Sequence, residues 1–159
     1  LTIYDNKIFQ VTWKSNKGFV YDIKNSKLLY DFNIYGQGWG LTNDGQSLIL
    51  SDGSEKIYYL NPKNFEIEKT ISVSVNGNKL IYINELEFIR GEIWANIWKS
   101  NDIITVNPFS GIVTSIFDIS KISEQTEIED VANGIAWDKI NDKIFITGKN
   151  WNFIYLLDI

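Results

Sequence analysis

The chain of 159 residues has no cysteine and no histidine. Their absence excludes Ser-His-Asp and Cys-His catalysis, and zinc sites built on thiolate or imidazole. Acid–base work therefore falls to Asp, Glu, Lys or Tyr. With no Cys, there is also no disulfide from which a compartment could be read. No run of Lys or Arg stands out against a formal net charge of −5, which argues against nucleic acid or an anionic membrane as the main partner. No stretch approaches the roughly 18 apolar residues of a membrane span. No signal peptide opens the sequence, although the abrupt start at Leu1-Thr2-Ile3 is what removal of a targeting segment would leave.

What the chain does have is apolar and aromatic surface. Hydrophobic residues make up 44% and aromatics 14%, with six Trp, enough for one domain with a sizeable core. These residues repeat. Aromatic-rich strands are predicted at 8–13, 48–52, 93–98 and 144–149, with starts 40, 45 and 51 residues apart. Each is followed by another strand, at 18–23, 56–61, 102–107 and 152–159, and preceded by one at 1–4, 39–42, 84–88 and 133–137. Outer strands are predicted at 27–32, 65–73 and 112–117. Asn, Asp and Gly in the connections (Asp5-Asn6, Asn43-Asp44-Gly45, Arg90-Gly91, Asn141-Asp142) suit tight hairpins. A period of 40 to 51 residues with several strands per unit is that of an all-β propeller of four-stranded blades.

The expected organisation is a single domain over 1–159, with blades near 1–36, 37–77, 78–119 and 131–159. A long acidic loop over 118–132 accounts for the widest spacing, and its acidic half is expected to hold a short helical turn. Such a loop is either a binding element or a solvated excursion. The first blade starts inside its inner strand and the last lacks an outer strand, so the reading is of a partial ring completed by a missing segment or a second chain.

A propeller concentrates chemistry at the mouth of its central channel, so candidate residues should recur at one position of the repeat. Trp13, Asp52, Trp98 and Lys149 end the four aromatic strands. Trp98 either lines a site or packs, and Lys149 is singled out because it stands where two other blades carry Trp. Strand alternation puts Trp94, Asn96 and Trp98 on one face. Trp94 reads as core, while Asn96 would need hydrogen-bonding partners if buried. Glu85 and Glu87 share a face of an inner strand, either as site carboxylates or as a pair satisfied by backbone donors or a lysine. Asn133 precedes Gly134, which permits close backbone approach. Gly36-Gln37-Gly38-Trp39-Gly40 lacks the Lys-Ser/Thr of a phosphate loop.

Together these motifs resemble the plant and bacterial glutaminyl-peptide cyclotransferases (glutamine cyclotransferases), which are five-bladed propellers. The resemblance is carried by Phe9-Gln10-Val11-Thr12-Trp13, Gly38-Trp39-Gly40-Leu41, Ser51-Asp52-Gly53, Asn84-Glu85-Leu86-Glu87, Trp94-Ala95-Asn96-Ile97-Trp98, Asn133-Gly134-Ile135-Ala136-Trp137-Asp138 and Thr147-Gly148-Lys149-Asn150-Trp151, in family order over nearly the whole chain. It implies cyclisation of an N-terminal glutamine to pyroglutamate with release of ammonia, no cofactor or metal, a peptide or protein substrate, and an extracytoplasmic location. Asn84, Asn96 and Lys149 are the implied catalytic donors. Trp13, Trp39, Glu85, Trp98, Asn133 and Trp151 are the implied substrate-binding residues. The family's acid/base Glu sits in an earlier blade, which is expected to be missing here. Two other readings stand beside this one. One is a metal-dependent lactonase-like hydrolase, suggested by Asn133-Gly134-Ile135-Ala136, and the other a non-catalytic propeller that binds peptides or partners.

Overall fold

The computed structural model describes residues 1–123 and 131–158. Its strands form a four-blade propeller arrangement. The first sheet is β1 (Thr2–Tyr4), β2 (Lys7–Val11), β3 (Lys17–Asp22) and β4 (Leu28–Asn33). The second is β5 (Gly40–Asn43), β6 (Leu48–Ser51), β7 (Lys56–Leu60) and β8 (Ile67–Ser72). A two-stranded hairpin that the repeat did not announce, β9 (Ser74–Val75) and β10 (Asn78–Lys79), precedes the third. That third sheet comprises β11 (Ile83–Ile89), β12 (Glu92–Ile97), β13 (Asp102–Val106) and β14 (Val113–Asp118). A single helical turn, α1 (Ser120–Ser123), leads towards the last sheet, β15 (Ala132–Asp138), β16 (Lys143–Gly148) and β17 (Tyr155–Leu157). The helical turn expected in the acidic half of the long loop falls on 124–130, outside the described residues.

Within each sheet every neighbouring pair is antiparallel and sequential, so short turns suffice as connections. Several of the turns take left-handed backbone at short polar residues, as at Asp5 and Asn6 (φ 47° and 57°) and at Asp142 (φ 54°). Period-2 alternation then sends opposite faces of a blade to two different cores. On β12, Ile93, Ala95 and Ile97 join Ile49, Ile57 and Leu86 of the second and third sheets, while Trp94 joins Ile103, Ile144 and Ile146 of the third and fourth. Trp94 is thus core, stacked on Phe117 with ring centroids 5.1 Å apart. Between the first two sheets, Phe9, Val20, Phe32, Leu41, Leu48 and Leu50 pack together. Burying such an aliphatic or aromatic side chain contributes about 1.5–3 kcal/mol.

The innermost strands set the geometry of the centre. β1 lies beside β5, β5 beside β11 and β11 beside β15. β5 approaches β11 so closely that a Cβ at Gly40 would lie 2.2 Å from the Asn84 carbonyl oxygen and 2.9 Å from the Leu86 nitrogen. Ser51 completes this junction: its Oγ accepts from the Gly40 N–H (2.8 Å) and donates to the Asn84 carbonyl (2.5 Å). The backbone at Asn84 is therefore held by two strands of the neighbouring blade.

Strand ends differ from the sequence expectation in one consistent way. The aromatic strands stop at Val11, Ser51, Ile97 and Gly148. Trp13, Asp52, Trp98 and Lys149 consequently lie just beyond the ladder. Trp39 likewise precedes β5, and the strand expected over 152–159 is limited to Tyr155–Leu157. These residues belong to the strand ends and turns at one rim of the propeller.

Candidate active site

At that rim a cavity of about 240 Å³ is lined by Trp13, Gly38, Trp39, Asn84, Trp98, Asn133 and Lys149. The fourth member of the repeat position, Asp52, turns away. Its carboxylate accepts from the Ser54 N–H and hydroxyl (2.9 and 2.5 Å) and from the Tyr58 hydroxyl (3.0 Å).

Both asparagines come from irregular strand pairing. Register shifts between Ile83 and Leu86 in β11, and between Ala132 and Ile135 in β15. A bulge re-aims the side chains it carries and occurs often beside active sites. Asn84 and Asn133 occupy these two bulges and face the same cavity. Lys149 enters from the end of β16, its backbone N–H bonded to the Val131 carbonyl at 3.0 Å. Among the described residues it takes part in no ion pair. The cavity thus presents two neutral amides and one ammonium against three indole rings, and no carboxylate among the described residues lines it.

The indoles are held by a residue that sequence reasoning passed over. Gln37 Oε1 accepts from both Trp13 Nε1 (2.7 Å) and Trp39 Nε1 (2.8 Å). Trp39 in turn meets Trp98 edge-on at 5.5 Å, and Trp98 meets Tyr82 edge-on at 5.7 Å. Gly53, at φ +85°, leaves room for Trp39, whose ring a Cβ there would approach to 2.6 Å. Tyr82 also has left-handed backbone (φ 68°); its N–H donates to the Gly53 carbonyl and its carbonyl accepts from the Trp98 N–H. The one sequence signal for Gln37 was its place between two glycines ahead of Trp39. Nothing in the sequence pointed to Tyr82. Replacing Gln37 with alanine removes the shared acceptor. Each hydrogen bond contributes about 0.5–1.5 kcal/mol, so the variant should unfold at a lower temperature and show shifted tryptophan emission. Unchanged Tm and emission would show that the rings hold their places unaided.

Three sequence-derived candidates lie elsewhere. Asn96 is fully buried beneath the rim; its Oδ1 accepts from the Gly134 N–H at 3.1 Å, and its Nδ2 has no hydrogen-bond partner among the described residues. It supports the bulge that carries Asn133. Trp151 packs across Gly148, where a Cβ would meet its ring at 2.3 Å, and edge-on against Tyr155. Glu85 lines not this cavity but a wider channel of about 1010 Å³, together with Glu87 and residues of all four inner strands.

The two carboxylates are held by backbone and hydroxyl donors. Glu85 accepts from the Ile135 N–H at 3.0 Å. Glu87 accepts from the Trp137 N–H at 3.2 Å and from Thr42 Oγ1 at 3.0 Å. Burial, followed by the neighbouring Glu87 charge, pushes Glu85 up to about 8, and burial raises Glu87 as well. Among the described residues no three Asp, Glu, His or Cys come together as metal ligands.

Comparison with known proteins bears on this arrangement. The sequence profile of the family described as Glutamine cyclotransferase matches residues 1–159. The glutaminyl-peptide cyclotransferase of Arabidopsis thaliana is 36% identical over 165 residues, covering 100% of this chain and 52% of the plant protein. The chain thus spans about half the length of that relative. The crystal structure of Myxococcus xanthus glutaminyl cyclase superposes with a TM-score of 0.91 at 30% identity, covering 99% of this chain and 72% of that one. The WD40 β-propeller domain of Doa1, at 11% identity and a TM-score of 0.58, covers 96% of this chain and 46% of its own, and shares the fold alone.

Proposed function

The chain belongs to the glutamine cyclotransferase family, and from that premise we propose that it forms the substrate pocket of an enzyme converting the N-terminal glutamine of peptides to pyroglutamate with release of ammonia. The observation that carries this reading is the convergence of Asn84, Asn133 and Lys149 inside the wall made by Trp13, Trp39 and Trp98. At about 240 Å³ the cavity is smaller than the ~300–1,000 Å³ of drug-sized ligand pockets, so it suits one residue rather than an extended peptide.

The chemistry asks little of the protein. The nucleophile is the substrate's own α-amine, whose pKa near 8 leaves a useful neutral fraction at pH 7. Its nitrogen attacks the γ-carboxamide carbon, closing a five-membered ring and moving an electron pair onto the amide oxygen. The three indoles would hold the side chain in that folded conformer, which makes the attack effectively unimolecular. Lys149, with Asn84, would donate to the oxyanion. The tetrahedral carbon then expels its original amide nitrogen, which takes the proton lost by the α-amine and leaves as ammonia. That proton needs a carrier, and no carboxylate among the described residues lines the cavity. We propose that the shuttling carboxyl group comes from residues outside these 159, in a segment or companion chain that completes the ring. That this chain covers 52% of its plant relative supports the view.

Ammonia release from a glutaminyl dipeptide tests the proposal, measured on these 159 residues and on the polypeptide carrying the full length of the gene. Release by the longer protein alone is the expected result. Release by neither, with both folded, would overturn the reading. A peptide-binding propeller would then remain, recognised by saturable binding without turnover.

A further inference from the structure

The rim of the pocket carries positive charge on a chain whose formal net charge is −5. Lys14 Nζ lies 3.9 Å from the centroid of the Trp13 ring, and Lys99 Nζ lies 4.6 Å from that of Trp98. Both rings line the pocket, as does Lys149. Stacking on an exposed indole orients an ammonium without neutralising it. The four ion pairs among the described residues are Lys7–Asp5, Lys17–Asp31, Lys79–Glu55 and Arg90–Asp142, and none includes Lys14, Lys99 or Lys149. Carboxylates of the neighbouring turns are already engaged: Asp52 with Ser54 and Tyr58, Asp102 with the Ser100 hydroxyl, and Glu55 with Lys79. Lys99 is further fixed by a left-handed backbone (φ 63°) in the turn that follows β12.

Resting on the cyclotransferase reading, we infer that the mouth selects glutaminyl peptides whose second or third residue is acidic. The pocket holds the N-terminal glutamine and nothing beyond it, so the following residues leave across the rings of Trp13 and Trp98. There they meet Lys14 and Lys99. A carboxylate leaving across either ring gains the ammonium stacked on it, which forms no ion pair among the described residues. A neutral residue gains only ring contact, and a basic one is repelled. Because both lysines are exposed, the attraction is screened by salt, over a Debye length of about 10 Å at 0.1 M. It should also steer acidic peptides to the mouth.

The test uses the full-length polypeptide and two C-terminally amidated peptides, Gln-Glu-Ala and Gln-Ala-Ala, whose only difference in charge is the glutamate. Binding is followed by tryptophan fluorescence in a stopped-flow instrument before turnover, with ammonia release measured in parallel. At 20 mM NaCl the acidic peptide should bind about fivefold more tightly, the upper end of what one exposed charge contact contributes. That ratio should fall to about one at 0.5 M NaCl, and in the double variant Lys14→Gln, Lys99→Gln. Equal affinities at low salt overturn the inference, as does a preference that persists in the double variant. Selective binding without ammonia release from either peptide would overturn the cyclotransferase reading while leaving the charge preference standing. Absence of binding by both peptides would overturn both.

Discussion

Replacing Lys149 with alanine should lower kcat for a glutaminyl peptide by about 10²–10³ in the full-length protein, while KM changes little. That is the size of effect seen when one preorganised donor to an oxyanion is removed. The split between kcat and KM follows from where the charge develops. The amide oxygen of bound glutamine is neutral, and becomes an anion only as the ring closes, so an ammonium contributes most at that stage. Lys149 is exposed, and its side chain forms no ion pair among the described residues. The fold should therefore survive the change, as circular dichroism and an unchanged Tm would show. Arginine should rescue little, because a planar fork replaces a compact point charge in a cavity of about 240 Å³. Kinetics indistinguishable from the parent enzyme would remove Lys149 from the reaction and leave Asn84 as the remaining donor of the pair.

The second large effect concerns stability. Glu85 is pushed up to about 8 in the folded protein, from an ordinary value of 4.5, chiefly by burial and next by the charge of Glu87. A raised carboxyl pKa means that the folded state keeps a proton that the unfolded chain gives up. The associated stability is fully present below the unfolded value of 4.5 and is lost as pH rises through about 8. Glu87 is raised too and acts in the same direction. The Tm should therefore fall as pH rises from about 5 to about 8.5, whereas proteins dominated by paired carboxylates gain stability over the acid part of that range. Glu85→Gln keeps an oxygen to accept from the Ile135 N–H and cannot ionise. It should stabilise the protein by about 2–4 kcal/mol at high pH and change little at low pH. Urea denaturation at the two pH values reads this directly. A variant no more stable than the parent at high pH would show that Glu85 is ionised in the fold at little cost.

These two residues illustrate what a repeat makes legible. Lys149 was singled out because it replaces Trp at a recurring position. The structure places it beside Trp13 and Trp98, because every aromatic strand ends at the same rim. Trp39 and Asn84 rest on family motifs and Asn133 on its place beside Gly134, and the same cavity collects them. Glu85 looked like a neighbour of Asn84, yet successive residues of a strand face opposite ways. The bulge between Ile83 and Leu86 gives Asn84 to the rim cavity, while Glu85 lines the channel and accepts from the backbone of β15. Asn96 was expected to be unusual for a buried amide. It proves to hold the neighbouring bulge through the Gly134 N–H instead of lining the pocket.

By itself the sequence determined the all-β character, the blade repeat and the family, because alternation, turn residues and motif order are local properties. It also settled which side chains these 159 residues cannot supply, a thiol or an imidazole, since an absent side chain is absent in any fold. Only the tertiary structure decided which candidates share a cavity, and that Gln37 and Tyr82 brace its walls. It alone revealed that Lys14 and Lys99 stack at its mouth. The reason is that a bulge or a strand end changes a side chain's direction by altering pairing with a neighbouring strand. That pairing is a relation between distant segments, and no single stretch of sequence carries it.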